Sequence, residues 1–228
     1  MRCALSNGWI RSVAGCLCVV SLLLLSACSM QKPSSSMESV HAVGDAKPSQ
    51  NLQAQTYLKD RGPLKVNYLT PLSEITAPEV YVYKEKRRLY LVQSDVLVRD
   101  YPIGLGFCPI GDKERRGDGK TPEGSFYICV KNPNSRFDRS LGLSYPARQH
   151  AERAFFAELI NPLQYRDIVV AYDTHCKPPW NTALGGEIFI HGGGAMADWT
   201  DGCVALYDSD MRELFTVANV GTPVSIFP

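Results

Sequence analysis

The 228-residue sequence lacks several features that would point quickly to a function. It has no excess of one charge: Lys and Arg total 24, Asp and Glu 23. That balance leaves no electrostatic footprint for nucleic acid, so no nucleic-acid partner is expected. It has no apolar run long enough for a confident bilayer span, which takes about 20 residues. The run at 13–25 is too short and is broken by Gly15 and Ser21. No repeat of solenoid period is visible. No cysteines are paired at C-x-x-C spacing, so a zinc site built from His175, Cys176, His191 and Cys203 is not supported. With 45% hydrophobic and 21% charged residues the composition is that of a globular chain, neither disordered nor collagenous.

The first thirty residues read as an address. Arg2 and Arg11 precede the short apolar run, as in a secretory signal. The run ends in Leu25-Ser26-Ala27-Cys28, which resembles the lipobox of bacterial lipoproteins. There the cysteine is diacylated and becomes the new N-terminus. The alternatives are an ordinary signal peptide with an incidental cysteine, or a buried helix. Ser29, a non-Asp residue, resembles the signal for transport to the outer membrane of a Gram-negative bacterium. The expectation is a protein lipid-anchored at Cys28 on the periplasmic side of that membrane, since two or three acyl chains anchor stably. Residues 29–50, rich in Ser, Pro, Gln and Lys, read as a flexible tether.

Eight cysteines are present. Cys3, Cys16 and Cys18 fall in the signal, and Cys28 would carry lipid. The remaining Cys108, Cys129, Cys176 and Cys203 allow two bridges in an oxidising compartment. If Cys203 stays free for chemistry, at most one bridge forms among the other three, and sequence does not assign it.

From residue 51 onward the pattern is mainly β. Residues 51–60 read as a short helix stopped by Gly62-Pro63. Residues 80–83 and 89–92, β-branched and aromatic, read as a hairpin around a charged turn at 84–88. Its tyrosines, Tyr81, Tyr83 and Tyr90, read as sheet packing. Strands are expected at 96–103, 125–130, 168–172, 187–191 and 222–227. Residues 147–160 carry apolar residues at helical spacing. A second helix should start at Asp208 or Ser209 and stop near Gly221. The charged cluster 112–116 reads as a solvated loop face.

Two segments carry chemistry. In Ile188-Phe189-Ile190-His191-Gly192, a histidine ends an apolar strand. In Thr200-Asp201-Gly202-Cys203-Val204, a cysteine follows a glycine twelve residues after that histidine. A thiol needs a nearby base to act as a nucleophile at neutral pH. Glycines beside both residues let backbone approach a substrate, and amides near Gly202 and Cys203 suit an oxyanion. This is the outline of acyl transfer through a thioester.

These motifs resemble the L,D-transpeptidase (YkuD-type) catalytic domain: His191-Gly192, then Thr200-Asp201-Gly202-Cys203. A second family feature is matched by Gly117-Asp118-Gly119-Lys120-Thr121-Pro122-Glu123-Gly124. Residues 132–137 and Ser144-Tyr145-Pro146 are similar to the YafK-like murein branch. The resemblance covers 79–228 and implies a mainly β, sandwich-like catalytic domain with a few helices. The expected organisation is then a signal at 1–27, a lipidated tether and N-terminal extension at 28–78, and the catalytic domain at 79–228.

The resemblance implies that Cys203 attacks a peptidoglycan stem peptide after its third residue. His191 takes the thiol proton, and the Gly192 carbonyl orients the imidazole. Gly202, Thr200, Asp201, Arg136 and Tyr145 are assigned to the oxyanion hole and substrate binding, with Arg139 an alternative to Arg136 for a substrate carboxylate. Trp199 either lines the cleft or packs. No cofactor or metal is implied. Ala205 stands where many members carry a polar or Arg residue, and Asp201 where many have His. Both departures resemble the YafK-like branch, which includes hydrolases that release a lipoprotein from peptidoglycan. Three functions stay open: a transpeptidase, a hydrolase of the same fold, and a non-catalytic peptidoglycan-binding lipoprotein. Partners are peptidoglycan stem peptides, a peptidoglycan-attached lipoprotein, and the membrane.

Overall fold

The structure, a computed structural model, describes residues 57–58 and 62–228. The signal, Cys28 and residues 29–56 lie outside the described residues. Two short strands, β1 (Tyr57–Leu58) and β2 (Gly62–Pro63), pair antiparallel. Of the helix expected over 51–60, only 57–58 lie among the described residues, and these form a strand. Gly62, at φ 69°, adopts a left-handed conformation that a glycine accepts without penalty.

The remaining strands form one sheet. They are β3 (Lys65–Val66), β4 (Glu79–Tyr83), β5 (Arg88–Gln93), β6 (Val96–Pro102), β7 (Gly124–Ser135), β8 (Asp138–Leu143), β9 (Phe189–His191), β10 (Val204–Ala205) and β11 (Pro223–Phe227). Their order is β10-β9-β8-β7-β11-β4-β5-β6-β3. The helices are α1 (Arg148–Phe156), α2 (Pro162–Asp173) and α3 (Asp208–Val217).

The hairpin expected at 80–92 forms, and a second turn follows. Ser94 and Asp95, both at positive φ, link β5 to β6 as a two-residue loop whose twist matches the strands. Alternation then puts β4 and β5 between two clusters. Val80, Val82, Leu89 and Leu91 face the main core. Tyr81, Tyr83, Tyr90 and Val92 face a smaller cluster with Leu64 and Leu97. The main core also takes Leu141 and Leu143 of β8, Ile190 of β9, Val204 of β10 and the buried face of α3. Both halves of the sheet thus fold over one apolar interior, each fully buried aliphatic side chain contributing roughly 1.5–3 kcal/mol. The C-terminal strand β11 joins the halves, antiparallel to β7 and parallel to β4.

Several expectations are corrected. Residues 168–172 belong to helix α2, not to a strand. The Asn161 side chain accepts from the Gln164 amide, Gln164 reaches back, and Pro162 opens the helix. Only Ile168 and Ala171, three apart, are buried, which is helical spacing. The Asn132–Phe137 stretch is the tip of a β7–β8 hairpin that the sequence reading did not resolve. In the turn after β4, Lys84 is buried rather than solvated. Its ammonium donates to the Gly111 and Thr121 carbonyls (2.6 and 3.0 Å) and pairs with Glu123 at 2.7 Å. The cluster 112–116 is not a solvated face throughout either. Lys113 is buried on Asp118 at 2.7 Å, and Asp112 lies between His150 and Arg153.

Candidate active site

The parallel pairing of β9 and β10 sets Ala205 opposite His191 and Val204 opposite Ile190. Paired residues point the same way and successive residues alternate. Ile190 and Val204 therefore enter the core, and Cys203, two residues before Ala205, emerges on the side of His191. Both line one cavity of about 640 Å³. Its walls also carry Lys113, Arg116, Asn134, Arg136 and Trp199.

His191 is almost wholly buried. Its Nδ1 lies 2.6 Å from the Gly192 carbonyl oxygen. A carbonyl only accepts, so Nδ1 carries the proton and Nε2 keeps its lone pair. Among the described residues Nε2 has no hydrogen-bond partner. The imidazole stacks on Phe137 (centroids 4.5 Å apart, planes 20° apart) and meets the edge of Trp199 at 5.6 Å. Burial pushes the imidazole below its ordinary value of 6.5; the bond to Gly192 opposes this and Arg136 adds to it.

The Cys203 thiol accepts from the Phe189 amide at 3.4 Å and donates to the Glu187 carbonyl at 3.6 Å. Burial pushes it up to about 11, the Phe189 amide opposes, Asp201 raises it further, and Lys113 and Arg136 lower it. Thiol and imidazole are therefore both neutral at rest near pH 7.

The loop before Cys203 is tightly held. Gly202 sits at φ 129°, and a Cβ there would lie 2.5 Å from the Lys120 carbonyl oxygen. The Thr200 hydroxyl accepts from the Gly202 amide (3.1 Å) and donates to the Cys203 carbonyl (2.8 Å). The Gly202 amide is thus engaged and is not a free oxyanion donor. The Cys203 amide has no partner among the described residues. Thr121, fully buried, accepts from the Gly106 amide at 3.0 Å and lies 3.5 Å from the Cys203 carbonyl oxygen. The Thr-Pro loop is thereby the backing of the cysteine loop, a role its spacing did not reveal. Two backbone bridges close this region: Gly104 with Ala205, and Gly106 with Thr200.

The other expected residues divide. Arg136 lines the cavity, its guanidinium 4.7 Å over the Phe137 ring. Asp201 and Thr200 line it, and so does Trp199. Tyr145 does not line the cavity. It is fully buried in the main core, its ring against Phe126 and His150, and its hydroxyl donates to the Leu184 carbonyl. An aromatic in an apolar run of β8 and its exit packs inward. Arg139 is directed elsewhere, with its guanidinium over Phe215 of α3. Cys108, Cys129, Cys176 and Cys203 are all free thiols. Phe137 is the residue the sequence reading missed as a neighbour of His191, because a hairpin tip, not periodicity, brings it there.

Comparison with known proteins places this geometry in a context. Solved structures with a similar fold include an L,D-transpeptidase from Xylanimonas cellulosilytica (16% identity, TM-score 0.40, 67% of this chain and 61% of that one). Others are the helical cell shape determining protein Pgp2 from Campylobacter jejuni (20%, 0.45, 68% and 53%) and Bd1075 of Bdellovibrio bacteriovorus (20%, 0.41, 67% and 48%). The chain thus spans about half to three fifths of the length of these structures. No curated protein matches. The sequence profile of the YkuD L,D-transpeptidase catalytic domain matches residues 77–226, a span that includes the histidine strand, the cysteine loop and the Thr-Pro loop behind it, and the chain belongs to that family.

Proposed function

We propose that this protein performs cysteine-dependent acyl transfer on peptidoglycan stem peptides. The observation that carries the reading is the placement of His191 and Cys203 on one side of the β9–β10 pair, with Nδ1 fixed on Gly192. Because both groups rest neutral, His191 acts as a general base rather than as half of a preformed ion pair. Nε2 takes the thiol proton as sulfur attacks the amide carbonyl, and the Cys203 amide donates to the developing oxyanion. The tetrahedral species collapses to a thioester, and imidazolium returns the proton to the leaving amine. An amine or a water then attacks the thioester, with His191 again taking the proton.

The hydrolytic outcome is favoured by one position. Ala205 is fully buried and hydrogen-bonded through its backbone to Gly104, so it presents nothing polar to a substrate. This fits the YafK-like branch and an enzyme that cuts a peptide or lipoprotein from peptidoglycan. Arg136 would hold a substrate carboxylate from the cavity wall. Anchoring through Cys28 to the periplasmic side of the outer membrane would bring the domain to the wall.

The test is mass spectrometry of muropeptides after incubating sacculi with protein lacking residues 1–28, beside Cys203→Ala. New third-residue cross-links absent in the variant would establish a transpeptidase. Released lipoprotein or shortened stems without cross-links would establish the hydrolase. No Cys203-dependent change would leave a binding module and refute the enzymatic reading.

A further inference from the structure

The tip of the β7–β8 hairpin touches the base from two directions. The Phe137 ring lies flat against the His191 imidazole, at 4.5 Å and 20°. The Phe137 carbonyl oxygen accepts from the Gly192 amide at 3.1 Å. Gly192 in turn supplies the carbonyl that binds His191 Nδ1. One residue therefore contacts the imidazole through its ring and the His191–Gly192 peptide through its carbonyl, while the Gly192–Gly193 peptide, which carries the carbonyl on Nδ1, is held by the Gly193 amide on Asp208 at 2.7 Å. Trp199 completes the enclosure, edge-on to both rings (5.4 Å to Phe137, 5.6 Å to His191), with its indole N–H donating to the Gly194 carbonyl. Gly192 has no room for a side chain, since a Cβ there would lie 2.5 Å from the Asp208 carboxylate and 2.7 Å from the Phe137 carbonyl oxygen.

We propose that Phe137 is a positioning residue for His191: its ring holds the imidazole in the plane in which Nδ1 meets the Gly192 carbonyl, so that Nε2 remains the free nitrogen. This rests on the reading of His191 as the general base. The physical reason is twofold. A flat ring against the imidazole closes that face and blocks rotation of the imidazole about its own side-chain bond. The stack keeps Nδ1 on the Gly192 carbonyl, whose own peptide is held by the Gly193 amide on Asp208, so the imidazole cannot turn Nδ1 away and take the other tautomer. The charges around the imidazole come from several elements. Arg136, Asp138 and Arg139 lie on the hairpin, Asp208 opens α3, and Asp198, Asp201 and Cys203 lie on the segment before β10. Asp208 is engaged by the Gly193 amide, Asp138 by Arg212, and Asp198 by Arg87. Arg136, stacked on the far neighbour Phe137, opposes protonation of His191.

The experiment is a nuclear magnetic resonance titration of the His191 ring nitrogens in the full chain, assigned with His191→Gln. It compares the native protein with Phe137→Leu and Phe137→Trp. In the native protein the Nδ1-protonated tautomer is expected, titrating below the ordinary histidine range. Phe137→Leu should mix the tautomers and alter the titration, while Phe137→Trp should restore both. A Phe137→Leu protein with native circular dichroism and an unchanged titration and tautomer would overturn the proposal. Failure of the base reading is separately visible: His191→Gln would then leave turnover of sacculi unchanged, whatever the titration of Phe137→Leu shows.

Discussion

The Thr200 hydroxyl offers the sharpest test of how the cysteine loop is held. Thr200→Val keeps the side-chain shape and removes one oxygen. That oxygen accepts the buried Gly202 amide at 3.1 Å and donates to the Cys203 carbonyl at 2.8 Å. After substitution the Gly202 N–H has no partner, while the Cys203 carbonyl keeps only the Thr121 hydroxyl at 3.5 Å. One donor lost outright and one acceptor weakened, at about 1–3 kcal/mol each, give a destabilisation of roughly 2–4 kcal/mol. With a urea m-value of about 2 kcal/mol/M, the unfolding midpoint should fall by about 1–2 M. Thr200→Ser retains the oxygen and should recover most of the loss. Equilibrium urea unfolding followed by circular dichroism reads both variants. A Thr200→Val midpoint within about 0.3 M of native at unchanged m would refute the reasoning, because the hydroxyl would then contribute no net stability.

Four further outcomes are expected. On the proposed mechanism turnover requires neutral His191, whose value is lowered from 6.5 by burial, so activity should rise as pH increases through a midpoint below 6.5 and be lost beneath it. Alkylation of Cys203 by iodoacetamide should climb continuously towards pH 11, since the thiol is pushed up to about 11; a plateau already at pH 6 would mean a preformed thiolate. Burial works to raise the Asp112 carboxyl, but bonds from His150, the Glu123 amide and Arg153 outweigh it and hold the group well below the usual carboxylate range. A depressed folded value confers stability above the unfolded value near 3.8, lost as pH falls below it. Asp112→Asn should therefore cost about 1–3 kcal/mol at pH 7, a gap in thermal or urea stability that narrows only in acid below that unfolded value. Tyr145→Phe removes a buried hydroxyl bonded to Leu184 and should cost about 1 kcal/mol, with kcat and KM unchanged; a lowered kcat would return Tyr145 to the site.

The meeting of His191 and Cys203 in one cavity was legible in the sequence because each sits in a short motif beside a strand. His191 ends an apolar strand and Cys203 precedes another, and period-two alternation then forces them to one side. The hairpin of 80–92 was legible for the same reason, since β-branched and aromatic residues flank a charged turn. What escaped was set by long-range contact. Residues 168–172 look like a buried strand in isolation, and only the Asn161-Pro162-Leu163-Gln164 start makes them a helix. Lys84 and Lys113 carry charges that composition assigns to solvent, yet each is buried because loop carbonyls and carboxylates converge on it. Tyr145 sat beside a family motif and was read as functional, although its neighbours are core residues. The occupied Gly202 amide could not be foreseen either, because a threonine hydroxyl two residues away chooses between backbone partners only once the loop is folded.

The bridges from Gly104 to Ala205 and from Gly106 to Thr200 join segments far apart in the chain. During synthesis the first segment emerges long before the second, and nothing upstream can substitute for the missing register. The thiol therefore has no organised surroundings until Ala205 has been released and closed onto Gly104. In a nascent or truncated chain ending before that point the cysteine loop would lack both bridges, so the cavity takes its form late, with closure of the last strands.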